Sequence, residues 1–284
     1  MQRFYPLLFV FLWSTGFIGA KYGLPFADPL SFLLARYGLV IVLMTALALL
    51  TRAPWPKEAA QWLHIGVSGV LVHAVYLGGV FIAIKHGLPA GITALVVGMQ
   101  PLLTAFGAGW LLGEKVSGRQ WVGLALGFVG VGMVVSGKMG ETAALGPMLL
   151  PALVALFGIT IGTLYQKRFC ARFDLRTGSV IQFVPTALFT ALTIALFGEF
   201  HIEWNGQFAF ALGWLVLVLS IGAISLLNLL IRRGSAVNVA SLFYLTPPTT
   251  ALIAWALFGE TLSLTALAGM LLAIGGVYLV ARAQ

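Results

Sequence analysis

Residues 100–117 read QPLLTAFGAGWLLGEKVS, and residues 246–263 read TPPTTALIAWALFGETLS. The second stretch lies 146 positions after the first. At that offset Pro101 meets Pro247, Gly113-Glu114 meets Gly259-Glu260, and Ser117 meets Ser263. Working outward, Gly16 meets Gly162, Lys21 meets Lys167, Asp28 meets Asp174, Gly123 meets Gly269, and Gly130-Val131 meets Gly276-Val277. Apolar matches arise easily in so hydrophobic a chain, but matched Lys, Asp, Pro and Glu do not. The chain reads as an internal repeat, with one copy over 1–138 and a second over 146–284.

Each copy holds five apolar stretches, and crossing a bilayer takes roughly 20 residues. They run at about 4–21, 31–51, 61–84, 91–113 and 119–137, then 146–166, 177–197, 207–231, 238–258 and 264–281. An odd number of spans makes the second copy enter the membrane from the other side. The expected fold is therefore all-α and integral to the membrane, with ten transmembrane helices as two inverted five-helix repeats. Composition agrees: 60% of the 284 residues are hydrophobic and 8% charged, against roughly 45–50% and 25% in soluble domains. The formal charge of +8 does not point to nucleic acid, because the cations sit in short loops and form no patch. Twelve Lys and Arg fall on the side shared by the two termini and three on the other. That bias predicts cytoplasmic termini in a bacterial inner membrane. The first apolar stretch has no small-residue cleavage pattern and is read as a retained helix. Cys170 is the single cysteine, so neither an intrachain disulfide nor a cysteine metal cluster is expected.

The run Trp13-Ser14-Thr15-Gly16-Phe17 with Lys21, then Pro29, Phe32 and Arg36, resembles the opening of the EamA repeat. Gln100-Pro101-Leu102 leading to Gly113-Glu114, and Thr246-Pro247 leading to Gly259-Glu260, resemble its closing half. This resemblance to EamA-like members of the drug/metabolite transporter superfamily covers essentially the whole chain. It departs at the opening of the second copy, where Ile159-Thr160-Ile161-Gly162-Thr163 replaces the tryptophan motif and Gln182 takes the place of Arg36. The resemblance implies a secondary transporter of small metabolites, often an exporter of amino acids or their derivatives, with no cofactor and no ATPase module. Inverted repeats suit that role, since two copies in slightly different shapes can exchange roles around a midplane site.

Polar side chains in mid-span are costly in lipid and turn toward a cavity or a partner. On that ground Trp13, Ser14, His73, Tyr76, Gln100, Gln182 and Tyr244 are expected to line a substrate cavity. Pro101, Pro247 and Pro248 are expected to kink the fourth and ninth spans, because proline removes a backbone donor. Arg36, about five residues into the second span, is read as a snorkelling or helix-capping cation rather than a carboxylate anchor. Lys21 and Lys167 are expected to anchor helix ends. Glu114 and Glu260 oppose the macrodipole of the helices they close, so each needs a cation or a following helix N-terminus. No Asp or Glu lies in the middle of a span. That disfavours exchange of protons for lipophilic cations and favours a neutral or zwitterionic substrate. His73 is the central group that titrates near neutral pH. The stripes Gly123-xxx-Gly127 and Gly269-xxx-Ala273 are expected to pack neighbouring spans within one chain, with a monomer as the working unit.

Two other classes compete. Gly66-Val67-Ser68-Gly69 resembles the serine motif of rhomboid proteases, but a serine nucleophile needs a base in hydrogen-bond reach. His73 is five residues on and falls on a different helix face. A purely structural membrane protein would not require inverted symmetry.

Overall fold

A computed structural model describes residues 4–88, 90–136, 149–170, 173–258 and 262–282. Helix α1 is Tyr5–Gly23, α2 Pro29–Leu50, α3 Ala59–Lys85, α4 Leu95–Leu112 and α5 Gly118–Ser136. The second copy supplies α6 Leu149–Phe169, α7 Leu175–Phe197, α8 Gly206–Arg233, α9 Ala236–Leu257 and α10 Leu264–Ala281. Helices α2 to α10 are each long and apolar enough to span a bilayer, and α1 adds a shorter apolar stretch at Tyr5–Gly16. Leu50, Trp110, Phe197 and Leu264 stand on the outside, while Arg36, His73, Gln166, Gln182 and Asn228 are buried. This inversion of the soluble pattern is what a lipid solvent demands, and the chain is an all-helical membrane protein.

Matched polar residues start matched helices. Asp28 and Asp174 precede α2 and α7 with extended backbone, and the Asp174 carboxylate accepts from the Arg176 amide at 2.9 Å. The Arg176 guanidinium also pairs with Asp174, holding its carboxyl below the usual carboxylate range. Ser117 and Ser263 accept from the amides of Gln120 and Ala266 at the starts of α5 and α10. Glu114 finds the N-terminus it needs, accepting from the Ala236 amide that opens α9, at 3.1 Å to each oxygen. Lys167 donates to the Ile231 and Gly234 carbonyls at the end of α8. Glu260, the Lys21 side chain and the junction between the copies at 138–146 lie outside the described residues.

The third and fourth helices of both copies are irregular at matching places. α3 passes through a π-helical segment, Val70–Val75, and α8 through another, Leu215–Ala223. Shifted by 146, the first becomes 216–221, inside the second. Such bulges inside α-helices frequently mark functional sites. α4 takes in the end of the helical piece Ala90–Val97, breaks and restarts at Gln100, while α9 crosses a 3-10 turn, Leu242–Leu245, before restarting at Thr246. Pro101 and Pro247 are thus the second residues of new helical pieces, with Pro248 next in line. In a first turn the missing N–H has no partner to lose. The expected kink is replaced by a break that precedes the proline.

The copies meet backbone to backbone along α5 and α10. A β-carbon on Gly123 would lie 2.7 Å from the Gly276 carbonyl oxygen, and one on Gly130 would lie 2.6 Å from that of Gly269. The repeat offset exchanges these two contacts, so the pseudo-two-fold axis runs through this seam. The small-residue stripes therefore pack inside one chain. A second exchanged pair ties the loops: the Ser31 hydroxyl of α2 donates to Glu199, and the Thr177 hydroxyl of α7 donates to Pro54. These contacts join the two copies at opposite membrane faces. At the Ser31 face the loops also pair through Ala27 and Ile202 as an isolated antiparallel bridge.

Candidate functional site

The expected site residues fall into three neighbouring groups and one outlier. In the first group the rings of Trp13 on α1 and Tyr76 on α3 stack, 6.5 Å apart and 11° from parallel, and Phe243 meets Trp13 edge-on at 5.3 Å. With Thr93, Thr246 and Pro247 these rings line a cavity of about 30 Å³. Ser14 on the same turn of α1 donates to the carbonyls of Val10 and Thr246, bridging α1 to the restart of α9. A smaller cavity of about 10 Å³ shares Phe243 as a wall and is lined by Gln100, Thr163 and Lys167. Gln100 donates to Thr104 at 3.4 Å, but its carbonyl oxygen has no partner.

The second group gathers at the two π segments. His73, within the π segment of α3, stacks on Phe183 of α7 at 4.4 Å. Tyr37 of α2 donates to the His73 carbonyl at 2.9 Å. Beside it Arg36, 1% exposed, donates through Nε to Ser220 in the π segment of α8 at 2.8 Å. One guanidinium nitrogen of Arg36 and both ring nitrogens of His73 are buried without a hydrogen-bond partner. The Gln182 amide lies near the His73 ring without a bond of good geometry. Arg36 neither snorkels nor caps a helix, which corrects the sequence reading: it enters α2 on the face turned to α8, not to lipid.

The third group is a closed amide network. Gln182 donates to Ser68 at 3.1 Å and to Gln166 at 3.2 Å, and accepts from Asn228 at 3.4 Å. Gln166 in turn donates to Asn228 at 2.9 Å. Gln182 therefore ties α7 to α3, α6 and α8 and does not face either small cavity. Ser68 donates to the Ile65 carbonyl at 2.7 Å, so its hydroxyl is engaged on both sides, and no histidine bonds to it among the described residues. Among the described residues the protease reading has no base bonded to Ser68.

The outlier is Tyr244. Its ring lies against Gly127 on α5, where a glycine β-carbon would come within 2.4 Å of it, and its hydroxyl is buried without a partner. The 3-10 turn of α9 advances by about 120° per residue instead of 100°, which brings Phe243 round to the cavity and sends Tyr244 to the seam. Phe243, Arg36 and Ser220 are the residues that sequence reading left out of the site. Of these, only Arg36 carried a signal, a charge inside an apolar span.

Comparison with known proteins agrees with this architecture. The EamA-like transporter family matches twice, over residues 4–136 and 146–282. A probable amino-acid metabolite efflux pump of Salmonella typhimurium is 28% identical over 97% of this chain and 93% of its own length. An uncharacterized transporter of Bacillus subtilis, YvbV, is 28% identical over 95% of this chain and 88% of its own. The uncharacterized inner membrane transporter YedA of Escherichia coli is 28% identical over 89% of this chain and 81% of its own. A crystal structure 21% identical in sequence superposes with a TM-score of 0.78, covering 97% of this chain and 94% of that one. Two matched copies that together span nearly the whole chain leave one conclusion: the protein belongs to the EamA-like transporter family.

Proposed function

We propose that this transporter moves a small amino-acid-related solute by alternating access, through the centre where Arg36 lies between the π segments of α3 and α8. The observation that carries the reading is the matched irregularity of the two inverted copies, which converges on buried polar atoms without partners. The name of the Salmonella relative, a probable amino-acid metabolite efflux pump, supports the solute class. The two small cavities beside Phe243 fall far below the roughly 300–1,000 Å³ of small-molecule sites, which fits a closed state between two open ones. The bias of Lys and Arg supports cytoplasmic termini, and one chain is enough to enclose the path. The chain is a transporter and not an enzyme.

The test is uptake into proteoliposomes of labelled amino acids, nucleobases and lipophilic cations, with and without a pH gradient. Saturable flux confined to the amino-acid class is the expected result. Flux of a lipophilic cation driven by the pH gradient would sink the reading.

A further inference from the structure

Arg36 is a buried cation that pairs with no acidic side chain among the described residues. Of the eight acidic residues in the chain, Asp28, Glu58, Glu114, Glu141, Asp174, Glu199, Glu203 and Glu260, none lies in the middle of a span. Among the described residues its hydrogen bond goes to the Ser220 hydroxyl, and the titratable groups beside it, Tyr37, Tyr76 and His73, are uncharged and cannot balance it. A guanidinium carries five N–H donors in a fork, and leaving one nitrogen bare in a dry interior is costly unless something comes to it. The same place holds two more bare polar atoms, the ring nitrogens of His73. Two unrelated helices thus present unmet donor capacity at one point.

We propose that the free face of Arg36, with His73 beside it, is the binding site for the carboxylate of the transported solute. This rests on the amino-acid reading above and names the group that the site recognises. A carboxylate matches the guanidinium fork with two parallel bonds, and a neutral imidazole adds one N–H while its other nitrogen remains an acceptor. Tyr76 leads from this point to the Trp13–Phe243 wall, where the body of the solute would lie. Binding neutralises the buried charge, so a loaded centre crosses between the two open states more readily than an empty one. The π segments deliver both ends of the arrangement, His73 from α3 and Ser220 from α8, so a change of shape in either copy moves one wall of the carboxylate site against the other.

The experiment compares each of the twenty standard amino acids with its carboxamide in proteoliposomes, using wild type, Arg36→Gln and Arg36→Lys. Arg36→Gln copies the residue that the second copy carries at the equivalent place, and thermal melting in detergent checks that each variant folds. The expected result is that the amide of a transported amino acid competes about ten- to a hundredfold more weakly than the acid in wild type. Arg36→Gln should lose that preference, and Arg36→Lys should keep part of it. An amide that competes as well as its acid in wild type overturns the site, as does a preference that survives in Arg36→Gln. Absence of flux for all twenty overturns the amino-acid reading instead. The carboxylate site is then judged by the melting of purified protein with the same acid and amide pairs. Stabilisation by an acid over its amide that disappears in Arg36→Gln supports it. Equal stabilisation, none, or stabilisation matched by chloride overturns it.

Discussion

Arg36 and Gln182 occupy the same place in the two copies, eight residues past Asp28 and Asp174, and they live under opposite conditions. Gln182 is saturated, with bonds to Ser68, Gln166 and Asn228 closing a network across four helices. Among the described residues Arg36 makes one bond and leaves a nitrogen bare. Two halves built from one pattern have thus divided the work. One uses the position to hold helices together, and the other keeps it unfinished for something that arrives and leaves. Exact symmetry would have given two locks or two openings.

The largest expected effect follows from that contrast. Arg36→Gln should reduce amino-acid flux about ten- to a hundredfold while the melting temperature holds or rises, because an unpaired buried charge is being removed. A fall in melting with flux intact would erase the contrast. Asn228→Leu should do the reverse. It strips partners from Gln182 and Gln166 at a cost of about 1–3 kcal/mol, read by thermal melting, with flux per folded molecule within about twofold. The two loop ties allow a smaller test. Ser31→Ala removes two bonds, one to the Glu199 carbonyl and one from the His201 amide, and Thr177→Ala removes one, at about 0.5–1.5 kcal/mol per bond, and they do so at opposite faces. A cysteine introduced as Thr246→Cys, at the cavity wall, should become more reactive from opposite sides of the membrane in the two variants. Increased labelling from the same side in both would end the symmetric account. The last effect is the slightest and serves as the control. Native Cys170 is buried among Ile65, Phe173 and Ile181, and burial pushes its thiol up to about 11. Since the thiolate is the reacting form, wild type should label slowly with maleimide at pH 7. Its rate should climb as the pH rises toward that value.

Ten helices and their repeat were legible because the residues that recur at the constant offset have stiff local demands, although their capping role was not. Asp28 and Asp174 start helices, Ser117 and Ser263 cap them, and Gly123 and Gly130 permit contact no other residue would. The site was legible only in part. Trp13, Ser14, His73, Tyr76 and Gln100 do fall near the centre, since polar or amphipathic side chains in lipid need somewhere to go. Tyr244 went to the seam because helical periodicity fails across a 3-10 turn. The π segments left no trace, for the run Val70-Leu71-Val72-His73-Ala74-Val75 has no residue that demands a wider turn. Arg36 was misjudged for a related reason: its distance from the start of the span was visible, but the face of α2 it occupies depends on where α8 packs. Pro185, inside α7 against Gly66 of α3, was not singled out either.

The joint between α5 and α10 bears on how such a chain could be assembled. Gly123 and Gly130 belong to one copy and Gly269 and Gly276 to the other, so each half carries a complete set of mating surfaces. Two separately translated polypeptides, 1–138 and 146–284, should therefore find each other in the same bilayer and restore uptake, although neither would work alone. Split reporters fused to the halves would record the pairing. The covalent link between them would then stand as a guarantee of equal dosage and of opposite insertion, not as a requirement of the working machine.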